Sequence, residues 1–419
     1  MSARLANWSH SYKFGAARVH VPESEEQVQA IVSQSDRVKA AGTRHSFNEI
    51  ADTSGDLIST ERLNRVLSLN ASEGTVTVQA GIRYGELCQF LEAEGLALHN
   101  LASLPHISVA GAVATATHGS GVLNGSLSSS VVGIRSVSAD GHISSLNLGD
   151  DSLVFGGSVV ALGALGVVIE LTLKVEPSFA VTQNVFENLP FDTLDTHFDE
   201  IMSGGYSVSL FIHWDQPEVN QVWVKARADQ PKPSSDPSDF GAIRATRKHS
   251  PVPDGDIENC TDQLGIPGPW FDRLPHFRMG FTPSSGEELQ TEYFVDRKDA
   301  WEALSAVNTI RDQIYPIIHT TEVRCISADS YWMSPCYERP SVAIHFTWKK
   351  DPIRVLGILP KLEELLSPFS ARPHWGKLFS MPSDTIQARY PKYDEFRRLV
   401  QSMDPTGKFR NPYLDRLLR

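Results

Sequence analysis

The sequence of 419 residues has little cysteine and no long apolar run. Its four cysteines (Cys88, Cys260, Cys325 and Cys336) lie far apart and form no Cys-x-x-Cys pair. This pattern argues against a zinc site or a disulfide framework and predicts free thiols. No stretch of about 20 apolar residues is present to span a bilayer, and residues 1–14 lack the apolar stretch of a secretory signal. These absences predict a cytoplasmic protein with no membrane partner.

Basic side chains are also scarce relative to acidic ones. The 38 Lys and Arg residues are outnumbered by 50 Asp and Glu residues, so the formal net charge is −12. Because phosphate backbones are bound by clusters of Lys and Arg, we expect no nucleic-acid partner. The composition, 41% hydrophobic and 21% charged, is typical of a globular protein, and the length predicts two domains.

Bulky side chains become rare between about residues 101 and 173, where two segments, 108-SVAGAVATATHGSG-121 and 156-GGSVVALGALGVV-168, consist mostly of small residues. Together with the turn 42–48 they allow backbone N–H groups to approach a ligand such as a diphosphate, although small residues also serve tight strand packing. Neither segment matches the Rossmann fingerprint. After the Gly-Ser-Gly that ends the first segment, the third glycine of that pattern would fall on Asn124. The pattern indicates a large cofactor held by several loops, which is not the usual way to bind a nicotinamide dinucleotide.

Two strand-like runs in the second half carry polar side chains on one face. In the run 341–348, His345 and Thr347 lie opposite the apolar positions, and in the earlier run TTEVRC, Glu322 and Arg324 share a face. If the apolar faces pack on helices, the polar faces must meet water, a partner or a ligand. The alternatives are an exposed charge pair for Glu322 and Arg324, and a buried core histidine for His345.

Three segments resemble the FAD-binding domain of the vanillyl-alcohol-oxidase flavoproteins: 40-AAGTRHSFN-48, 101-LASLPHISVAGAVATATHGSG-121 and 162-LGALGVV-168. In many members the histidine of the G-x-x-H-S motif is bonded to the 8α-methyl group of the isoalloxazine ring. The resemblance therefore implies FAD attached covalently to His45. Taken alone, a loop histidine would more often be solvated or cap a turn.

The resemblance also implies an α+β, two-domain fold, in which a cap domain with an antiparallel sheet covered by helices lies beside the FAD-binding domain. The expected boundaries are 1–175 for the FAD-binding domain and 176–378 for the substrate-binding cap domain. Residues 379–419 are expected to return to the FAD-binding domain.

The E-V-R triplet, the tetrapeptide 374-HWGK-377 and the segment 404-DPTGKFRNPYL-414 resemble the sugar-lactone and alditol oxidase branch of this family. Within the branch, residues 257–294, 343–348 and 372–377 are similar to the alditol oxidases. The resemblance implies a substrate site made by Ser103, Glu322, Arg324, Thr347 and Lys377, with Lys377, Arg324 and His345 as catalytic residues. The implied cofactor-binding residues are His45 (covalent), Gly42, Thr43, Arg44, Ser46, Phe47, Ala102, Ser103, Ser108, Gly111, Ala112, Thr115, His118, Gly119, Gly166 and Val168.

The implied activity is that of an FAD-dependent oxidase. It would convert the terminal primary alcohol of a polyol such as xylitol or sorbitol to an aldose and reduce O2 to H2O2, acting as a monomer. The small Ala102 matches the position near the flavin edge that governs oxygen access. The alternatives are an aldonolactone oxidase or dehydrogenase (acting on L-gulono- or D-arabinono-1,4-lactone), a binding protein without turnover, and a membrane-associated dehydrogenase.

Two features depart from the alditol oxidase pattern. Thr43 and Arg44 stand where small residues precede the histidine, and His99 stands where proline is expected. We expect the first departure to affect how tightly the flavin is wrapped, and the second to reshape the substrate entrance.

Overall fold

The computed structural model describes residues 5–150, 152–231, 235–253, 255–280 and 286–418. The strands are β1 (Arg18–His20), β2 (Val38–Ala41), β3 (Asp56–Ser59), β4 (Val66–Asn70), β5 (Thr75–Gln79), β6 (Leu96–Ala97), β7 (Val131–Val137), β8 (Ile143–Asn147), β9 (Val167–Lys174), β10 (Glu176–Pro177), β11 (Ala180–Pro190), β12 (Ser207–Ile212), β13 (Glu218–Arg227), β14 (Ile243–Arg244), β15 (Gly268–Pro269), β16 (Glu288–Asp296), β17 (Ile318–Ile326), β18 (Ser341–Lys349) and β19 (Arg372–Pro373). The helices are α1 (Glu25–Gln34), α2 (Tyr84–Ala93), α3 (Val109–Ala114), α4 (Ser152–Val159), α5 (Leu194–Ser203), α6 (Ala300–Asn308), α7 (Arg311–Ile314), α8 (Pro352–Leu366), α9 (Ser383–Arg389), α10 (Tyr393–Met403) and α11 (Pro412–Leu417).

The N-terminal part contains two main sheets. A small parallel sheet has the order β1-β3-β2, and an antiparallel sheet has the order β4-β5-β9-β7-β8. Helix α1 begins after Ser24, whose side chain accepts a hydrogen bond from the Gln27 backbone N–H. Strand β2 ends at Ala41 and leads directly into the turn 42–48. The small parallel sheet therefore fixes the start of the turn that carries His45.

The second half is built on a large antiparallel sheet, whose path in the described part of the chain is β14-β11-β13-β12-β17-β18-β16-β19. Along β18, the alternate residues Val342, Ile344, Phe346 and Trp348 are fully buried in the main core. Helices α5, α6 and α8 pack on this side of the sheet. The opposite side, which carries His345 and Thr347, faces a cavity. The division of faces predicted from the alternation is confirmed, and so is the α+β fold class.

The C-terminal segment packs against the N-terminal part of the chain. The side-chain amide of Asn411 donates to the backbone oxygens of Glu49, Ile50 and Asp52 at 2.9, 3.3 and 2.8 Å. The Val38 backbone N–H donates to the Lys408 oxygen at 2.9 Å. The C-terminal segment thus contacts the residues on both sides of the turn 42–48.

Some local predictions differ from the structure. The apolar spacing from Trp301 to Ile314 predicts a single amphipathic helix, but the chain forms two helices, α6 and α7, separated at Thr309 and Ile310. The four cysteines are buried free thiols, as predicted. Every helix among the described residues is too short or too polar to cross a membrane.

Candidate active site

A large cavity lies between the turn 42–48, the small-residue segments and the polar face of the large sheet. It measures about 1680 Å³ when counted out to open solvent. Its walls on one side are made mostly of small residues and backbone, and on the other side of charged and polar side chains. Both the predicted cofactor residues and the predicted substrate residues therefore line one continuous space.

The turn that carries His45 is packed tightly against the start of α3. A Cβ atom on Gly42 would lie 1.9 Å from Ser108 Oγ, so only glycine fits there. The Ser108 backbone N–H donates to Thr43 Oγ1 at 3.1 Å. Arg44 adopts a left-handed backbone conformation with φ of 58°, and its carbonyl accepts a hydrogen bond from the Trp8 N–H at 2.8 Å. Thr43 and Arg44, which depart from the family pattern, thus help to hold the shape of the turn.

His45 lies in the cavity wall with one ring nitrogen available. Its Nδ1 lies 3.0 Å from Thr43 Oγ1, while its buried Nε2 has no hydrogen-bond partner among the described residues. Trp8 stacks on the imidazole at 5.3 Å. Burial, followed by the neighbouring His106, lowers the pKa of His45 to about 4. The imidazole is therefore neutral at physiological pH, which is the form that can act as a nucleophile.

The His45 turn is tied directly to the tetrapeptide 374–377. The Phe47 backbone N–H donates to the Gly376 oxygen at 2.7 Å. The Asn48 side-chain amide donates to the backbone oxygens of Trp375 and Lys377, each at 2.8 Å. The position of Lys377 relative to His45 is therefore set by backbone hydrogen bonds and does not depend on flexible side chains.

The register of the large sheet places polar residues in adjacent rows on the cavity side. Directly paired residues on β17, β18 and β16 form two rows, Glu322-His345-Glu292 and Thr320-Thr347-Gln290. Each member of both rows lines the cavity. Because neighbouring same-face residues along a strand lie about 7 Å apart, the two rows face successive parts of the cavity.

Glu292, at the end of the charged row, contacts two cations, although the sequence did not single it out. Its Oε1 accepts from Arg324 Nη2 at 2.7 Å, and its Oε2 accepts from Lys377 Nζ at 2.6 Å. The side chain is 0% exposed. Burial opposes its ionisation, but Lys377, His118 and Arg324 hold its pKa well below the usual range. The carboxylate is therefore charged and bridges the two cations.

Lys377 donates to His345 Nδ1 at 2.5 Å as well as to Glu292. Because His345 accepts at Nδ1, its proton resides on Nε2 and is donated to Thr347 Oγ1 at 3.0 Å. Burial, then Lys377, lowers the pKa of His345 to about 4. Burial also lowers the pKa of Lys377, although the charge of Glu292 opposes this effect. These contacts leave the third position on Lys377 Nζ to face the cavity.

Glu322 has its own supporting pair, which the sequence also did not reveal. His276 Nε2 lies 2.8 Å from Glu322 Oε1, and Lys225 Nζ lies 3.1 Å from His276 Nδ1. Burial favours the neutral acid, but the charge of Arg324 and the hydrogen bond from His276 outweigh it and keep the pKa of Glu322 below its usual range. Burial lowers the pKa of Lys225 to about 7.

The structure brings most predicted site residues together. The cavity is lined by His45, Gly42, Thr43, Arg44, Ser46, Phe47, Ala102, Ser103, Ser108, Gly111, Ala112, Thr115, His118, Glu322, Arg324, His345, Thr347 and Lys377. Gly119, Gly166 and Val168 lie outside this lining. Arg324 Nη1 reaches Ser103 Oγ at 3.4 Å, which connects the cofactor side to the sheet side. The alternative of an exposed Glu322–Arg324 pair is wrong, because the two residues are 6% and 5% exposed.

The expectation that His99 reshapes the substrate entrance is also wrong. His99 lies outside the cavity lining, and its Nε2 lies 3.3 Å from Ser129 Oγ. Its carbonyl accepts a hydrogen bond from the Tyr206 hydroxyl. The side chain therefore points into the packing behind the cavity wall.

Comparisons with known proteins agree with this geometry. The chain matches the FAD binding domain family at residues 16–147 and the D-arabinono-1,4-lactone oxidase family at residues 286–417. An alditol oxidase of Streptomyces sp. (strain IKD472 / FERM P-14339) is 47% identical over 422 residues, covering 100% of both chains. The chain belongs to the alditol oxidase family. The predicted membership of the vanillyl-alcohol-oxidase flavoproteins, with FAD as cofactor, is thereby confirmed.

The chain also has more distant relatives that match it over its full length. An L-gulono-1,4-lactone dehydrogenase of Mycobacterium tuberculosis (strain ATCC 25618 / H37Rv) is 29% identical and covers 100% of both chains. Among solved structures, cholesterol oxidase from B. sterolicum has a TM-score of 0.78 at 15% identity, with 99% of this chain and 96% of that chain covered. A carbohydrate oxidase from Microdochium nivale, in complex with a substrate analogue, has a TM-score of 0.77 at 15% identity, with 99% and 94% covered. These two structures share the fold.

Proposed function

We propose that this protein oxidises the terminal primary alcohol of a polyol such as xylitol or sorbitol to an aldose, and that O2 accepts the electrons to give H2O2. The observation that carries the proposal is the contact of Arg324 with Ser103, which sets the charged row of the large sheet beside the small-residue wall of the FAD cavity. The 47% identity to an alditol oxidase supports the same substrate class.

The chemistry of the cavity wall fits FAD. The turn 42–48 and the N-terminal end of α3 supply small residues and backbone N–H groups at close range, and Gly42 leaves no room for a side chain. When bound, FAD supplies the acceptor for the two electrons that leave the C–H bond next to the reacting hydroxyl. The protein must then bind the polyol, orient the reacting carbon and take up the hydroxyl proton.

Lys377 is the proposed proton acceptor. In its neutral form Nζ has two N–H groups, which are used by Glu292 and His345, so the remaining lone pair faces the cavity. The proton taken from the substrate hydroxyl makes Lys377 a cation beside the Glu292 carboxylate. His345 is the weaker base, because its pKa is about 4, and it orients Lys377.

Arg324 is proposed to stabilise the negative charge that develops on the reacting oxygen. It is 5% exposed and stays charged, because its carboxylate partners raise its pKa more than burial lowers it. Glu322, Ser103 and Thr347 are proposed to bind hydroxyls farther along the polyol. A substrate that lacks a matched hydroxyl would leave one of these buried groups unpaired, which predicts strong discrimination.

We further propose that FAD is attached covalently to His45. The neutral imidazole with a free ring nitrogen in the cavity wall supports the attachment, and so does the position of the residue in the G-x-x-H-S motif. Intact mass measured after unfolding tests it directly, since covalent FAD stays with the chain. His45→Ala is expected to release the flavin on unfolding.

Anaerobic reduction of the purified yellow protein tests the activity. Xylitol and sorbitol are expected to bleach the flavin, and L-gulono-1,4-lactone to bleach it much more slowly. A preference for the lactone would instead indicate an aldonolactone oxidase or dehydrogenase, and no bleaching by either class would indicate a binding protein. Reoxidation by air should then release one H2O2 per flavin, and failure to do so would point to a dehydrogenase.

The organisation of the chain is part of the same proposal. An FAD-binding domain of residues 1–175, a cap domain of residues 176–378 and a returning segment of residues 379–419 fit the position of the large sheet between Ala180 and Pro373. The monomeric state and the cytoplasmic location stay predictions, which light scattering and cell fractionation would test.

A further inference from the structure

We propose that Glu292 is a positioning residue of the active site, which holds Arg324 and Lys377 at the reacting oxygen and sets the pH range in which Lys377 accepts a proton. This inference rests on the proposed polyol oxidation. It concerns a residue that does not itself touch the substrate and that acts through the two residues that do.

The geometry of the carboxylate supports this role. Each oxygen takes one cation: Oε1 binds Arg324 Nη2 at 2.7 Å and Oε2 binds Lys377 Nζ at 2.6 Å. The two cations come from different elements, because Arg324 lies on β17 and Lys377 follows β19. Glu292, on β16, is thus the side chain that fixes the distance between them.

The backbone of β16 reinforces the same connection. The His374 backbone N–H donates to the Glu292 backbone oxygen at 3.0 Å, and the Leu378 backbone N–H donates to the Gln290 backbone oxygen at 2.9 Å. The tetrapeptide that carries Lys377 is therefore attached to β16 on both sides, and the side chain of Glu292 completes the attachment at Nζ.

The carboxylate is not available to a substrate. Its side chain is 0% exposed, and His118 Nε2 lies 3.3 Å from Oε1 in addition to the two cations. The other carboxylate nearby, Glu322, lies 3.6 Å from Arg324 Nε and is held by His276. Glu292 is therefore the carboxylate that balances the charge of Lys377.

Loss of the Glu292 charge should lower the pKa of Lys377. Glu292 raises the pKa of Lys377 against the effect of burial, whereas Arg324 lowers it. Without the carboxylate, two buried cations face each other, so Lys377 loses its proton at a lower pH. Neutral Lys377 is the proposed base, so the rate should begin to fall at a lower pH on acidification than in the wild type. This fall of the rate at low pH is the acidic limb of the pH profile. The shift is expected even though the geometry of the site becomes less favourable.

Two substitutions separate charge from geometry. Glu292→Gln keeps the shape but removes the charge, and its amide can accept from only one cation. We expect the flavin reduction rate to fall by about 10²-fold, as for a small misplacement of reacting groups, with the acidic limb moved to lower pH. Glu292→Asp keeps the charge but shortens the reach. The flavin reduction rate of Glu292→Asp should fall, while its acidic limb stays near that of the wild type.

Glu363→Gln is the matched control. Glu363 is also a buried carboxylate, but it binds Tyr293 Oη and Ser380 away from the cavity. It should leave the rate and pH profile unchanged and lower only the melting temperature. Rates are measured by anaerobic stopped-flow reduction with xylitol, together with flavin absorbance and melting temperature for each variant.

The results distinguish failure of the proposed substrate from failure of the proposed role of Glu292. If the wild type is reduced by L-gulono-1,4-lactone and not by xylitol, the proposed substrate is wrong, and the same variants are compared on the lactone. If Glu292→Gln keeps both rate and acidic limb on the reactive substrate, the role of Glu292 is wrong. Parallel losses in both Glu292 variants and in Glu363→Gln, with no shift of the limb, would show a purely structural residue.

Discussion

His276 donates its Nε2 proton to Glu322 across 2.8 Å, and Lys225 Nζ lies 3.1 Å from its other ring nitrogen. The Glu322 carboxylate can only accept, so the imidazole proton must reside on Nε2. Burial, then Lys225, lowers the pKa of His276 to about 4. Glu322 is therefore kept charged by Arg324 and by a neutral hydrogen-bond donor, and its remaining lone pairs can accept from substrate hydroxyls.

Replacing His276 with phenylalanine tests this relationship. The loss of a hydrogen bond to a charged group costs about 1.5–3 kcal/mol, so kcat/KM for xylitol should fall by about 10- to 100-fold. Because ionised Glu322 is the proposed acceptor for substrate hydroxyls, the loss should appear mainly as a higher KM. His213→Phe, at a partly buried histidine outside the cavity lining, should leave kcat/KM unchanged. An unchanged kcat/KM in His276→Phe would contradict the role assigned to the pair.

Lys377→Met should remove the proton acceptor while the flavin stays bound. We expect the rate of flavin reduction by xylitol to fall by about 10²–10³-fold, the usual cost of losing one group at a site of developing charge. The visible spectrum of the flavin should stay normal. Lys361→Met, at an exposed position of α8, is the control. Near-normal turnover in Lys377→Met would show that another group takes the proton.

Gly42→Ala should prevent the cofactor turn from closing. The new Cβ would lie 1.9 Å from Ser108 Oγ, so the turn and α3 must separate. We expect a low ratio of flavin to protein absorbance after purification. Gly357→Ala is the matched control, because no atom lies within 4 Å of the added Cβ and alanine favours a helix by up to about 1 kcal/mol. Full flavin content in Gly42→Ala would mean that the close packing at Ser108 is dispensable.

Stability should decrease on acidification through the buried histidines. His276 and His345 have pKa values of about 4 in the folded protein, compared with about 6.5 in the unfolded chain. Between these values the unfolded chain binds more protons, so the free energy of unfolding falls as the pH falls from about 6.5 to about 4. Each group contributes up to about 1.4 kcal/mol per pH unit in that window and nothing to the slope above it. Urea unfolding across the window checks the slope, and His276→Phe should reduce it.

The parts of the site that follow from local pattern were predictable from the sequence. The alternation around His345 and Glu322 identifies the cavity face of two strands, and the run of small residues identifies the cofactor wall. The family resemblance then supplied the chemistry of His45 and Lys377. These features depend on residues that are neighbours in sequence or on motifs that can be recognised as short strings.

Other parts depend on pairings between distant residues, and the sequence did not reveal them. Glu292 reads as one polar residue in a strand, and only the pairing of β16 with β18 places it between Arg324 and Lys377. His276 reaches Glu322 from a region without regular structure. The helix break at Thr309 was missed because the apolar spacing continues across it. His99 was expected to reshape the entrance because it replaces a proline of the family pattern, whereas its side chain turns towards Ser129.

The attachment of Asn411 behind the flavin turn bears on how the protein is made. Asn411 binds the backbone at Glu49, 362 positions earlier in the chain. At a synthesis rate of about 5–20 residues per second, the turn waits roughly 20–70 s for this support. Flavin capture should therefore be completed only after almost the whole chain has left the ribosome. Cells that produce the chain faster than they supply FAD should then accumulate folded but colourless protein.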